Sequence, residues 1–531
     1  MRRLGGSVLL GLSAATFFLS PVEEHLLRLG PAKRYFIGQL PDRVDYAVLL
    51  GLILVLGLAV GLAHGASFGA PSKFRRVLKV PFALLCTLGV GHLVHLHLGR
   101  YPPLWNAVAW QGIRFGLSAI DSWFIVAIVC GMAVVAMFSL WPWGWMVAKP
   151  VLCGASAVVW LASALQLMHP PGALPDTRSG KEQVRPVREI GPGNPVVWVI
   201  LDGWDYDLTY GRADHAVFRE FDRLRNQSVF FEHVQAAGKV TLTAIPGLLM
   251  GRTVREYRGA DAWSARFVSA GATESFPGPR TIFDTAAQFG YGSHIVGWYH
   301  PYCRIFGSQV ESCYGDLRLS IIRSTQSPLE RAGAFLRESV ELEIFPIGGA
   351  ANVALRQMAR VDPMVQQASI AASHTGRSFS FLHLPVPHGP FFKLDAGGRM
   401  IPLRSGVDGY GYGLQAADRA LGSLRAAMER SGAWDEALVV VTSDHPYRYQ
   451  MEGGYGNGHI PMMIKFPHQS APVAYSRPFQ AVETRNLIED FMQGTVATPE
   501  HAVAWLERNN PPRRSGTLQH ERAASAQTGE R

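Results

Sequence analysis

The chain has 531 residues, 48% of them hydrophobic and 17% charged, against roughly 25% charged in a soluble globular protein. Its formal charge of +9 sits almost wholly in residues 1–170, where 13 Lys and Arg face five acids, Glu23, Glu24, Asp42, Asp45 and Asp121. The basic balance belongs to an apolar third and gives no support to nucleic acid as a partner, while disorder, a small disulfide scaffold and a fully soluble enzyme are excluded.

Five stretches approach the ~20 apolar residues that a hydrocarbon core requires: 4–19, 46–62, 80–98, 122–140 and 151–167. The first follows Arg2 and Arg3 and reads either as a cleaved signal peptide or as a retained span. No clear small-x-small cleavage site stands before Pro21, which favours the retained span. Lys73, Arg75, Arg76, Lys79 and Lys149 belong on the cytoplasmic side, which puts everything after residue 170 outside. The expectation is a multi-pass membrane domain over 1–168 in a bacterial-type inner membrane, carrying an extracytoplasmic domain. His92, His95 and His97, at the end of the third stretch, read as interfacial histidines. Cys86, Cys130 and Cys153 read as small buried hydrophobes inside spans. Cys303 and Cys313 are the only pair in the outer domain, and an oxidising compartment predicts a disulfide between them.

Residues 169–194, rich in Pro and Gly, read as a linker, 195–508 as one domain, and 509–531 as a disordered tail. Strands are predicted over 196–201, 293–298, 378–384, 438–442 and 462–466. Helices are predicted over 213–226, 282–289, 332–342, 412–431 and 483–493. Short β-branched runs alternating with helical patterns predict an α/β domain, a mostly parallel central sheet covered on both faces in three layers. In such sheets the chemistry lies outside the carboxyl ends of the strands.

Three of those ends carry acids or histidines. Strand 196–201 runs into Asp202-Gly203-Trp204-Asp205, strand 438–442 into Ser443-Asp444-His445, and strand 378–384 towards His388-Gly389-Pro390. Gly458-His459-Ile460-Pro461 precedes the last strand. An Asp after a strand is a turn residue or helix cap more often than a ligand, so each signal alone is weak. Two carboxylates and a histidine on one sheet edge together suit a divalent ion such as zinc or manganese. Within Gly238–Arg252, Pro246 fits the first turn of a helix and Gly251 the position just past its end. Thr241 then falls at or just before the helix N-terminus, where backbone amides favour anions. A hydroxyl there beside a divalent ion can attack phosphorus. Thr241 and Thr243 also fit as plain helix caps.

The order strand–Asp, Thr ten residues before Gly, His-Gly-Pro, Ser-Asp-His and Gly-His-x-Pro resembles the alkaline phosphatase superfamily in its sulfatase-like branch, over about 194–493. Five spans followed by such a domain is similar to the layout of bacterial phosphoethanolamine transferases and lipoteichoic acid synthases. The resemblance implies an alkaline phosphatase-like fold in which Asp202, Thr241, Asp444 and His445 hold one divalent metal ion. Zinc or manganese is preferred, with magnesium or calcium as options. It also implies that Thr241 is the nucleophile of a covalent phospho-enzyme, with Thr243 as runner-up, and that His388 and His459 bind phosphoryl oxygens or protonate the leaving group. Thr241 is followed by Leu242-Thr243-Ala244-Ile245 and lacks the Cys or Ser with Pro and Arg of formylglycine sulfatases. Asp202-Gly203 stands where phosphoethanolamine transferases usually have Glu. His383 and His388 follow the middle strand without the Asp that a second metal would need, leaving Asp205 as the one spare carboxylate. The implied activity is phosphoryl transfer of the phosphoethanolamine type, from a phospholipid donor to an envelope lipid or glycan. Phosphodiester or sulfate ester hydrolysis and an inactive envelope scaffold are the alternatives.

Overall fold

The structure is a computed structural model. It describes residues 2–27, 35–36, 41–71, 73–74, 77–79, 81–82, 85–86, 129, 142–169, 191–211, 218–261, 264–269, 271–278, 280–316, 327–341, 349–389, 391–394, 400–402, 408–447 and 458–509. In chain order its strands are β1 (Val196–Leu201), β2 (Val229–Gln235), β3 (Glu256–Ala260), β4 (Ala265–Ser269), β5 (Ala272–Phe276), β6 (Gly292–Trp298) and β7 (Ser312–Asp316). There follow β8 (Ser378–Leu384), β9 (Phe392–Leu394), β10 (Met400–Pro402), β11 (Leu438–Thr442), β12 (His459–Lys465), β13 (Val473–Tyr475) and β14 (Phe479–Gln480).

β1 is buried along its whole length. Val196, Trp198 and Ile200 enter one core, and Val197, Val199 and Leu201 enter a second. That two-residue alternation between two dry faces is why the strand reads as an unbroken apolar run. The first core also takes Ala244 and Leu248 from helix Thr241–Met250, Ile282 from helix Ile282–Gln288 and Leu487 from helix Thr484–Gln493. The second takes Phe221 from helix Arg219–Arg225, Met364 from helix Gly349–Ala372 and Leu421 from helix Asp408–Ser431. Three layers result, with the sheet in the middle.

The sheet runs β13-β2-β12-β11-β1-β8-β6-β7, with β14 also on β2. β11, β1, β8, β6 and β7 are mutually parallel. β12 is antiparallel to both β11 and β2, so the mostly parallel expectation holds with these exceptions. The predicted strands 196–201, 378–384 and 438–442 coincide with β1, β8 and β11, whereas β12 starts three residues before the predicted 462. β2 was not predicted, because the charged and polar residues of Val229–Gln235 interrupt its apolar run. The side sheet β3-β4-β5 is missed for a similar reason, its short strands carrying charged and polar residues such as Glu256, Arg266 and Glu274.

In the N-terminal third, two helices among the described residues are long and apolar enough to cross a membrane, Arg43–Ala66 and Pro150–Met168. They contain the expected spans 46–62 and 151–167. The span expected over 4–19 is helix Arg2–Phe18, whose apolar part is shorter. Most of 80–98 and 122–140 lies outside the described residues, as do His92, His95, His97, Cys130 and the tail after 509. Among the described residues, the five expected spans are thus represented by two candidates and one shorter apolar helix. Helices Arg2–Phe18 and Arg43–Ala66 meet backbone to backbone through glycines: a Cβ on Gly11 would lie 2.2 Å from the carbonyl oxygen of Gly57, and one on Gly61 2.7 Å from the Cα of Val8. Large apolar side chains stay exposed on the candidate spans, with Val55 of Arg43–Ala66 at 65% and Val158 of Pro150–Met168 at 68%. Arg331 ties this third to the rest, bonding Asp42 at 2.7 Å and Asp45 at 2.8 Å at the start of Arg43–Ala66. Cys303 and Cys313 are joined as a disulfide.

Candidate active site

The carboxyl ends of β1, β8 and β11 bring Asp202, His383 and Asp444 together with Thr241. Their placement follows from strand parity. Val196, Trp198 and Ile200, Phe379 and Phe381, and Leu438 and Val440 all face the core covered by helix Thr241–Met250. Continuing each alternation by twos reaches Asp202, His383 and Asp444 on the same side.

Thr241 is the first residue of its helix, with Val240 as N-cap in an extended conformation. Its hydroxyl donates to Asp202 Oδ2 at 3.3 Å and lies 3.2 Å from His445 Nε2. The helix starts earlier than predicted: Pro246 lies in the second turn, where its missing N–H leaves the Leu242 carbonyl without its intrahelical donor. Gly251 closes the helix in the left-handed region at φ 67°. Thr243 is turned away, its hydroxyl donating to the Val240 carbonyl at 3.2 Å. The two threonine hydroxyls thus have different partners.

His445 donates Nδ1–H to the Pro446 carbonyl at 2.8 Å, leaving the Nε2 lone pair facing Thr241 and the carboxylates. Nε2 is 3.5 Å from Asp202 Oδ1 and 3.5 Å from Asp444 Oδ2. Asp444 Oδ1 accepts from the amides of Gly203 at 3.1 Å and His445 at 2.9 Å. Gly203 makes its bond from a left-handed turn, φ 76°, a conformation that favours glycine. Ser443 locks the two loops together, accepting from the Trp204 amide at 2.8 Å and donating to the Leu201 carbonyl at 2.8 Å.

His383, to which the sequence assigned no role, is fully buried, with Nε2 3.5 Å from Asp202 Oδ2 and Nδ1 2.9 Å from the Tyr302 hydroxyl. The parity of β8 was the signal for it. His388 stands half-buried at the mouth, its ring edge-to-face with Trp298 at 5.3 Å. Burial alone would push the Asp202 carboxyl up, but the imidazoles of His388, His383 and His445 outweigh it and hold that carboxyl below the usual carboxylate range. His459 opens β12, with its ring 6.0 Å from that of His233. Among the described residues it makes no contact with Thr241 or the carboxylates. Asp205 is spent on structure: Oδ1 caps the following helix through the Leu208 amide at 3.0 Å and Oδ2 accepts from the Tyr447 amide at 3.2 Å. Burial raises its pKa to about 6.

Asp202 Oδ1, Asp444 Oδ2 and His383 Nε2 are buried and lack hydrogen-bond partners among the described residues. Orphaned buried carboxylate oxygens are costly and rare. Asp202, Asp444 and His445 each offer one ligand atom, and these three atoms lie within 4.8 Å of one another. Two carboxylates, an imidazole and an adjacent hydroxyl make a mixed oxygen and nitrogen donor set that fits a divalent cation.

Fold and site together define a sulfatase-like enzyme of the alkaline phosphatase superfamily with a candidate cation site at its sheet edge. A family model described as Sulfatase matches residues 194–495, and the chain belongs to that family as a hydrolase or transferase. Comparison with curated proteins returns no match. Among solved structures the chain is similar to the lipoteichoic acid synthase LtaP from Listeria monocytogenes, at 12% identity and TM-score 0.36, covering 58% of this chain and 75% of that one. It is similar to the phosphonate monoester hydrolase of Agrobacterium radiobacter at 16% identity and TM-score 0.33, covering 57% and 74%. Ps i-CgsB in complex with k-i-k-neocarrahexaose gives 17% identity and TM-score 0.39, covering 59% and 74%.

Proposed function

We propose that the protein is a membrane-anchored phosphoryl transferase of the phosphoethanolamine type. It moves a phosphorylated headgroup from a phospholipid donor to an envelope lipid or glycan through a phospho-threonine on Thr241. The observation that carries this reading is the Thr241 hydroxyl, buried between Asp202 and His445 at the first residue of a helix. Asp202, Asp444, His445 and Thr241 would hold a divalent ion, zinc or manganese by preference, which supplies Lewis-acid neutralisation of phosphoryl charge. The remaining work belongs to the chain. Held in that donor set, the Thr241 hydroxyl would shed its proton as Oγ1 bonds to phosphorus and the P–O bond to the donor alcohol breaks, and the acceptor's attack then breaks the P–Oγ1 bond and frees Thr241. Of the first-turn amides of helix Thr241–Met250, those of Thr243 and Ala244 bond the Val240 carbonyl, which leaves those of Thr241 and Leu242 for the developing anion. His388, at the mouth of the site, protonates the departing alcohol and then takes the proton of the acceptor hydroxyl that attacks the intermediate. His459 is a second candidate for that proton, given its place on the same sheet edge.

The membrane assignment is supported by helices Arg43–Ala66 and Pro150–Met168 and by their exposed apolar faces. With residues after 170 outside the cytoplasm, anchoring keeps the site near lipid headgroups and raises their effective concentration. The lack of a Cys or Ser at position 241 argues against formylglycine-dependent sulfate chemistry. Intact-protein mass spectrometry after incubation with mixed phospholipid vesicles, wild type beside Thr241→Ala, tests the proposal. A headgroup-phosphate adduct mapped to Thr241 and missing from the variant is expected. Phosphoryl turnover by the variant at the wild-type rate would end it.

A further inference from the structure

Tyr35 lies far outside the segment that matches the Sulfatase family, in the stretch between helices Ser20–Leu27 and Arg43–Ala66. Yet it is fully buried, in the same core that holds Val196, Phe276, Tyr302 and Phe306 of the α/β domain. Its hydroxyl is 2.9 Å from His300 Nδ1, and His300 Nε2 is 3.2 Å from the main-chain carbonyl of Thr241. The Arg304 guanidinium bonds the Tyr35 carbonyl, and Phe36 packs edge-on to Tyr299 at 5.5 Å. Tyr299 itself has φ 74°, a left-handed conformation that a bulky aromatic residue keeps only when its surroundings enforce it. The segment thus seats on the strained turn that carries His300.

We propose that Tyr35 is a positioning residue for the nucleophile, fixing the Thr241 backbone through His300, so that a residue of the N-terminal third completes the active site. This rests on Thr241 being the nucleophile. A carbonyl only accepts, so His300 Nε2 carries the hydrogen towards Thr241. His300 is fully buried between a hydroxyl at Nδ1 and a carbonyl at Nε2, partners that match a ring carrying a single proton. Nδ1 is then the acceptor and the Tyr35 hydroxyl its donor, a one-way relay from Tyr35 to His300 to the Thr241 peptide. Holding that peptide fixes the Cα–Cβ direction. Thr, being β-branched, has few χ1 choices left, so its hydroxyl is aimed at Asp202 and His445. A misplaced nucleophile slows the chemical step without weakening ground-state binding.

The test uses the full-length protein in detergent with bis(p-nitrophenyl) phosphate, a water-soluble aryl phosphodiester that needs no membrane. Tyr35→Phe keeps the ring and deletes the donor. It is expected to lower kcat roughly tenfold to a hundredfold with KM within about twofold of wild type. In a His300→Gln background the same change is expected to have no further effect, because the relay is already cut. Wild-type kcat in Tyr35→Phe, or an equal loss in both backgrounds, overturns the proposal. Nitrogen-15 NMR of histidine in the wild type needs no variant: a proton on Nε2 of His300 is expected, and a proton on Nδ1 reverses the relay and overturns it as well. Thr241→Ala runs alongside. If it turns over the probe normally, the nucleophile assignment is what fails, whereas a dead Thr241→Ala beside a normal Tyr35→Phe removes only the role of Tyr35.

Discussion

The helix pair Arg2–Phe18 and Arg43–Ala66 and the carboxyl edge of the central sheet are assembled by opposite rules. In the helix pair, contact depends on atoms that are absent: Gly11, Gly57 and Gly61 let two backbones touch, the small-residue packing that serves helices in lipid. At the sheet edge, contact depends on polar atoms in excess of what the protein itself satisfies, with Asp202 Oδ1, Asp444 Oδ2 and His383 Nε2 left over. One region is damaged by adding atoms and the other by removing them. Where a fold keeps unpaired carboxylate oxygens in its interior, stability has been given up for a ligand.

The deletions carry the largest expected effects. Thr241→Ala should cut phosphoryl transfer by about a thousandfold or more while leaving the fold intact, read by turnover and by a melting curve. Asp444→Asn should cost the bound metal as well as activity, measured as metal content by mass spectrometry of the purified protein. Full metal occupancy in that variant would show that the orphaned oxygens serve something else. The additions come next. Gly57→Leu should destabilise the helix pair by about 1–3 kcal/mol in detergent, through overpacking against Leu12, whose Cα lies 2.6 Å from where the Cβ would stand. Turnover of a soluble phosphodiester should survive that change.

A smaller effect concerns pH. Burial raises Asp205 from 3.8 to about 6, so the folded state holds its proton more tightly than the unfolded chain does. The resulting stabilisation is complete below 3.8 and is lost as pH rises through about 6. Asp205→Asn keeps an oxygen to cap the Leu208 amide and cannot titrate, so its melting temperature should change less than that of wild type across this window. Parallel profiles would contradict the assignment. The smallest effect is expected from Thr243→Ala, whose hydroxyl bonds only within its own turn. Activity should stay near wild type, in contrast to its neighbour two residues away.

How far the sequence could be read depended on distance along the chain. Asp202, Asp444 and His445 were legible because each follows an apolar run, and a strand end is a local pattern. Thr241 was legible from Gly251 ten residues on, although Pro246 suggested a later helix start than the one found. His383 was visible only as a residue without a role, since its meaning comes from strand parity shared with β1 and β11. Asp205 was read as a spare carboxylate, and its capping bond shows it serving the turn instead. Nothing in the neighbourhood of Tyr35 announces a partner 265 residues away. Contacts of that kind are decided by which core has room for the ring, and no periodicity records them.

The pairing of β1 with its neighbours has a consequence for when the site comes into being. Val196 lies beside Leu438, so the strand that opens the domain waits for one made near its end. Parallel pairing across such a span closes a large loop before it gains anything, and it is slow for that reason. Asp202 and Thr241 are synthesised early, but Asp444 and His445 reach them only when β11 slides in between β1 and β12. Until then the chain has a hydroxyl without its neighbours and half of a cation site. The site is therefore complete only once β11 has joined the sheet.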